Sequence, residues 1–398
     1  MKKFVAGLFV LMLISGWVQA ETSTAGADSI GDPYFPGLGN GGYDALHYDL
    51  QLAWNDATNE IAGTVTIDAQ APQALSAFDL DFLGFTINQL EVNGRSAAFE
   101  RAGRELKITL PESLSEGSAF TVAVTYSGVP GEGVPNYYAD FAQGWSRYDK
   151  GVFVASEPNG ASYWFPVNDH PLDKATYTFA ITVPNAFVVA ANGLLQQVEE
   201  KGDVTTYYWV SSYPMASYLA TVNIADYAIQ TMDGPHGLPI RNYFPTDLSE
   251  NLIPTFSRVP DMIAYFEEII GPYPFEAYGA VVADTNLPFA LETQTLSLFG
   301  RQIVVGEGGT ETTISHELAH QWFGNSISLA NFAKATELKK RLWFTLGALV
   351  LFRLLSFVPV PGINPVAMNA LYQTQSGGIL DVFNTFSGGA LERFSIIA

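Results

Sequence analysis

Cysteine is missing from all 398 residues, which excludes disulfides and any thiolate-bound metal. Cations are scarce as well. Nineteen Lys and Arg stand against 40 Asp and Glu, a net charge of -21, so no basic face is offered to a nucleic acid, and none is expected as a partner. The shortage is uneven. Residues 331–398 hold six of the cations and three of the acids, net +3, leaving -24 for residues 1–330. A break that sharp points to two unrelated pieces joined in one chain. Histidines number only five, and there is no internal repeat and no low-complexity tract.

Long apolar runs occur only near the two ends. Lys2 and Lys3 precede the run Phe4–Trp17, and Val18-Gln19-Ala20 supplies a small-residue cleavage site, so residues 1–20 read as a secretory signal peptide. The bulk of the protein is therefore expected to be exported, periplasmic or membrane-associated. Residues 21–42, rich in Gly, Ser, Thr and Pro, read as a flexible leader. Near the other end, Leu342–Val360 is almost wholly apolar and long enough to cross a bilayer as a helix, giving a membrane as an expected partner there.

Between these ends the hydrophobic period changes once. In residues 43–235 it is two: Phe120, Val122, Val124 and Tyr126 alternate with Thr121, Ala123 and Thr125, and Tyr177, Phe179, Ile181 and Val183 do the same. Turns such as Asn93-Gly94, Pro130-Gly131 and Asn192-Gly193 separate such runs, which predicts a large antiparallel β domain. In residues 236–330 an amphipathic helix is expected over 253–270 and a short strand over 279–283, giving mixed α/β character.

The sharpest signal is HELAHQWFGNSISL, residues 316–329. His316 and His320 are four apart and project from one helix face, where a single Zn²⁺ can take both imidazoles. Glu317 then stands beside the metal to accept a proton from its bound water. Thr310, Thr312 and Thr313 offer N-cap hydroxyls, and Gly324 suits the position after the helix. His47, His170 and His236 sit in strand and turn contexts and read as structural.

With that motif in place, residues 43–330 resemble the aminopeptidase N family of gluzincin metallopeptidases. YDALHYDL (43–50) looks like its opening strand, and SYWFPVNDHPLDKATYTFAITVP (162–184) like its Pro-and-Asp landmark. FALETQTLSLFG (289–300) looks like its Gly-x-Met-Glu-Asn motif. The resemblance implies a saddle-shaped antiparallel β domain followed by a truncated thermolysin-like α/β catalytic domain. It also implies removal of single amino acids from peptides with free N-termini. It assigns His316 and His320 as zinc ligands, Glu317 as general base, and Glu292 and Glu157 as the carboxylates that hold the substrate's amine.

The likeness has gaps. Phe289 replaces the motif's glycine, and the position of the third zinc ligand, a glutamate in the family, is Lys339. The family's downstream tyrosine has no counterpart. Residues 331–398 instead resemble the start of SecY, the bacterial translocation channel, through ELKKRLWFTLGAL, VPVPGINP and FNTFSGGALERFSI. The chain thus reads as a chimera: a zinc aminopeptidase by descent, impaired at its metal. The rival readings are a membrane-inserted translocation fragment and a noncatalytic peptide-binding β module.

Overall fold

The computed structural model of the protein describes residues 23–326, apart from 34 and 135–142. The chain divides into two units, Met1–Ser326 and Ile327–Ala398. The signal segment 1–20, the apolar run 342–360 and Lys339 lie outside the described residues. Among the described residues no helix is long and apolar enough to cross a membrane.

An eight-stranded sheet dominates the first part. Its spatial order is Leu194–Lys201, Val204–Ala216, Lys174–Pro184, Asp44–Asn55, Glu60–Gln70, Ala119–Gly128, Thr86–Val92 and Arg95–Ser96. The expected alternation holds on both test strands: Phe120, Val122, Val124 and Tyr126 are buried, as are Tyr177, Phe179, Ile181 and Val183. Burying every second side chain fixes the register, because a slip of one residue would turn the apolar set outward. Asn93 and Gly94 both have positive φ, at 51° and 71°, and make the tight hairpin expected of them.

Two expectations need correction. The sheet is mixed rather than antiparallel, since Lys174–Pro184 runs parallel to Asp44–Asn55. These strands are far apart in sequence, and the chain between them builds other strands instead of a hairpin, so local turn signals could not report their direction. Asn192-Gly193 separates two strands as expected, and these belong to different sheets: it carries the chain from a second, four-stranded sheet to the large one. The expected flexible leader is docked from Ser23 onward: Thr24–Ala25 pairs in parallel with Leu75–Asp81, and buried Asn40 donates from Nδ2 to Asp81. Glycine permits this close approach, for a Cβ on Gly26 would lie 2.4 Å from the Gly41 carbonyl oxygen.

The second region starts earlier than residue 236. Tyr227–Asp233 pairs antiparallel with Pro239–Pro245, which continues in parallel to Tyr278–Ala283 and Ser297–Gly300. Helix α1 spans Val259–Ile269, preceded by the 3-10 helix Glu250–Phe256, so the helix expected over 253–270 begins later, at Val259. Pro254 and Pro260 account for this, because proline is tolerated in a first turn and not inside a helix. Ile240, Phe244, Phe256, Val259, Ile263 and Phe299 form the core on this side. Tyr243, Val281, Leu287, Leu291, Leu296 and Leu298 join the core of the β region instead. The sheet therefore shows one face to each region, and the motif residues gather at that seam.

Candidate active site

Helix α2 spans Glu311–Ala319, with His320 as its C-cap. Ile314, Leu318 and Trp322, each four apart, are buried in the second core and seat the helix. The Trp322 indole donates to the carbonyls of Gly271 and Pro272, both at 3.0 Å, and ties the motif to the end of α1. Thr310 is at the N-cap, but its hydroxyl donates to the Ile303 carbonyl at 2.8 Å and does not cap; Thr312 and Thr313 lie inside the helix. Gly324 has φ 115° but is not at the C′ position expected for it: the helix ends at Ala319 with His320 as its C-cap, and Gly324 lies in the turns that follow.

His316 and His320 project together from α2, their Nε2 atoms 3.2 Å apart. Two nitrogens bound to one tetrahedral zinc at about 2.0–2.1 Å stand roughly 3.3 Å from each other. The pair fits the ion. His320 Nδ1 lies 3.1 Å from the Phe323 carbonyl, which can only accept, so Nδ1 carries the proton and Nε2 presents its lone pair. The rest of the ligand set does not appear. Among the described residues no three His, Asp or Glu side chains are grouped to hold a metal, and zinc sites take three protein ligands or more.

Glu317 is 5% exposed, turned inward between the histidines and the helix's buried face. Its pKa is raised to about 8 by burial first, then by Glu292 and Glu157. Glu292 comes from another segment. It sits just beyond the short bridge between Leu291 and Leu298 and is 8% exposed. Its carboxylate accepts from the Tyr218 hydroxyl at 3.2 Å. Glu157 follows the strand Gly151–Ala155 of the β region and is the exposed member of the set. Its pKa is raised by partial burial and by Glu292, and His320 opposes the rise. Three carboxylates from three segments thus converge beside two imidazoles. Such a cluster repels itself until a cation enters it.

His316, Glu317, His320, Glu292 and Glu157 lie together in this one place. Those missed were Tyr218, Gln321, Asn325 and Lys174. Burial first, then the charges of Glu292 and Glu157, raise the pKa of Tyr218, whose hydroxyl donates to Glu292. Gln321 and Asn325 hold the Glu292 backbone, and Lys174 donates to the Asn325 carbonyl at 2.5 Å. The run QWFGN after the second histidine was the available signal for two of them. His47 and His170 are structural as expected: His47 contacts Thr176 and Thr178, and buried His170 lies 3.2 Å from Asp32. His236 sits at the surface, its side chain 87% exposed.

Comparison with known proteins bears on this geometry. Residues 44–219 match the Peptidase M1 N-terminal domain. Leukotriene A-4 hydrolase of Xenopus laevis is 23% identical over 298 residues, 72% of this chain and 48% of that protein. The chain therefore spans about half the length of this relative. A separate local match of 63 residues is 56% identical to the protein translocase subunit SecY of Vibrio cholerae, covering 16% of this chain and 14% of that one. Among solved structures, an M1 zinc metallopeptidase from Deinococcus radiodurans is 30% identical with a TM-score of 0.66, over 76% of this chain and 69% of its own. A mutant of that enzyme was crystallised with a Tyr-Ser-Ala substrate. With that identity and coverage, and a histidine pair spaced for Zn²⁺, the chain belongs to the M1 zinc metallopeptidase family.

Proposed function

We propose that this site is built to hold the free amine of a peptide N-terminus beside a metal-assisted hydrolytic centre, as an aminopeptidase requires. The observation that carries the reading is the convergence of Glu157, Glu292 and Glu317 next to His316 and His320. An ammonium entering between Glu157 and Glu292 forms charge-assisted hydrogen bonds and relieves the repulsion that raises Glu317. Fixing the amine beside the metal pair is what release of single amino acids from a free N-terminus requires. When bound, zinc supplies a polarised water near neutral pH. Glu317, desolvated and within the cluster, is the group to take a proton at that point and return it to the leaving amine.

We further propose that this chain is impaired as a catalyst. Two histidines are the whole ligand set among the described residues, and the sequence places Lys339 where the family has a carboxylate. An ammonium in place of a carboxylate disfavours the cation, with roughly 4 kcal/mol at stake per unit charge at about 4 Å and an effective dielectric near 20. Dialysis of the full chain against buffered zinc, followed by an aminoacyl-anilide assay, tests this. Substoichiometric zinc and little turnover are expected; one tightly held zinc with turnover abolished by Glu317→Gln would contradict it.

A second reading is favoured by the SecY match. We infer that residues 331–398 carry it and associate with membranes through 342–360, with residues 21–330 exported by the leading segment. Lys334, Lys339, Lys340 and Arg341 precede the apolar run and prefer the cytoplasm, against the direction set by the signal segment. Mixed topology is expected. Protease protection showing one uniform orientation would oppose it.

A further inference from the structure

Thr295 is the outlier of the described backbone. It is buried and β-branched, yet its φ is +66°, a conformation that glycine or asparagine normally takes. It occupies the third position of a tight turn closed by the Leu296 N–H donating to the Thr293 carbonyl at 3.1 Å. Such a backbone persists only where its surroundings over-determine it.

Here they do so from two directions. From the metal-motif side, Gln321 Oε1 accepts the Thr295 N–H at 2.9 Å, and Gln321 Nε2 donates to the carbonyls of Glu292 and Thr293 at 3.1 and 3.5 Å. Asn325 Nδ2 adds a second bond to the Glu292 carbonyl at 2.7 Å. From the β region, Asn192 Nδ2 donates to the Gln294 carbonyl at 2.7 Å, and the Gly193 N–H donates to Thr295 Oγ1 at 2.7 Å. Asn192 also accepts the Thr221 N–H at 2.7 Å and donates to the Leu219 carbonyl at 3.0 Å, which fixes the turn bearing Tyr218. Gln321 is fully buried and lies one residue beyond His320, so its amide carries the helix's position directly to the loop.

We propose that Gln321 is a positioning residue for amine recognition: its amide latches the strained Thr295 turn to α2 and so fixes Glu292 relative to His316 and His320. This rests on the reading of Glu292 as the amine anchor. The latch sets how far the anchored amine lies from the metal pair, and therefore how many residues fit between them.

The test titrates the full chain with leucine amide, using N-acetyl-leucine amide as the amine-free control, in a calorimeter at pH 7. Glu292→Ala reports on the anchor alone; unchanged leucine amide affinity there would sink the amine reading itself. If Glu292→Ala does lose affinity, Gln321→Ala should weaken leucine amide at least tenfold and leave the control unmoved. Gln321→Glu keeps the acceptor for the Thr295 N–H but sets a carboxylate against two carbonyls, and it should weaken binding as well. Affinity within twofold of the unmutated chain in a folded Gln321 variant overturns the latch. In the unmutated chain, leucine amide should slow hydrogen exchange at the Thr295 amide; exchange that leucine amide does not change also overturns it.

Discussion

Glu317 is held where its charge is disfavoured, and stability should show it. Its folded pKa, about 8, lies above the usual carboxyl value near 4.3. Between these limits the folded state holds more protons than the unfolded state, so stability falls as pH rises through that window. Glu317→Gln should therefore raise the thermal midpoint of the zinc-free chain at pH 8 by a few degrees, and the difference should vanish near pH 4. A midpoint that drops at pH 8 would mean the carboxylate is stabilised by partners, contrary to the repulsion from Glu292 and Glu157. At this scale the sequence was legible where chemistry has a fixed spacing, as with His316, Glu317 and His320. Glu292 and Glu157 were reached through resemblance. Tyr218 and the Thr295 turn were not legible, because nothing local marks a tyrosine as facing a distant carboxylate and no glycine announces the positive φ.

Elements carry the site through two kinds of anchorage. The first is apolar. Leu318 is fully buried beneath the histidine pair, and Leu318→Ala should cost about 2–5 kcal/mol, read by denaturant unfolding. The second is ionic. Arg104 lies 2.8 Å from Asp81 and 2.7 Å from Asp169, and it donates to the Asn159 carbonyl two residues beyond Glu157. Asp169 in turn accepts from Ser217 Oγ at 2.9 Å, beside Tyr218. Arg104→Met strands two buried carboxylates and should destabilise by about 3–5 kcal/mol at pH 8. Asp81, already raised to about 6 by burial against the pull of Arg104, would then be protonated at pH 5, so the loss there should be smaller. Equal losses at both pH values would argue that the guanidinium acts by packing alone. Strands were legible through alternation, whereas strand direction was not, since the parallel pairing of Lys174–Pro184 with Asp44–Asn55 depends on partners more than a hundred residues apart.

Across the whole described unit, the site exists because two regions share one seam. The sheet Tyr227–Gly300 gives one face to each core, so Glu157 from one region meets Glu292 and Glu317 from the other. The break in charge near residue 330 coincides with the division between Ser326 and Ile327. On the function proposed above, what the fold assembles there is above all a receptor for an ammonium group. The most direct measurement is the affinity of the unmutated full chain for leucine amide against N-acetyl-leucine amide at pH 7 and low ionic strength. A preference of at least tenfold for the free amine is expected, about 1.4 kcal/mol; equal affinity for the two would contradict the account.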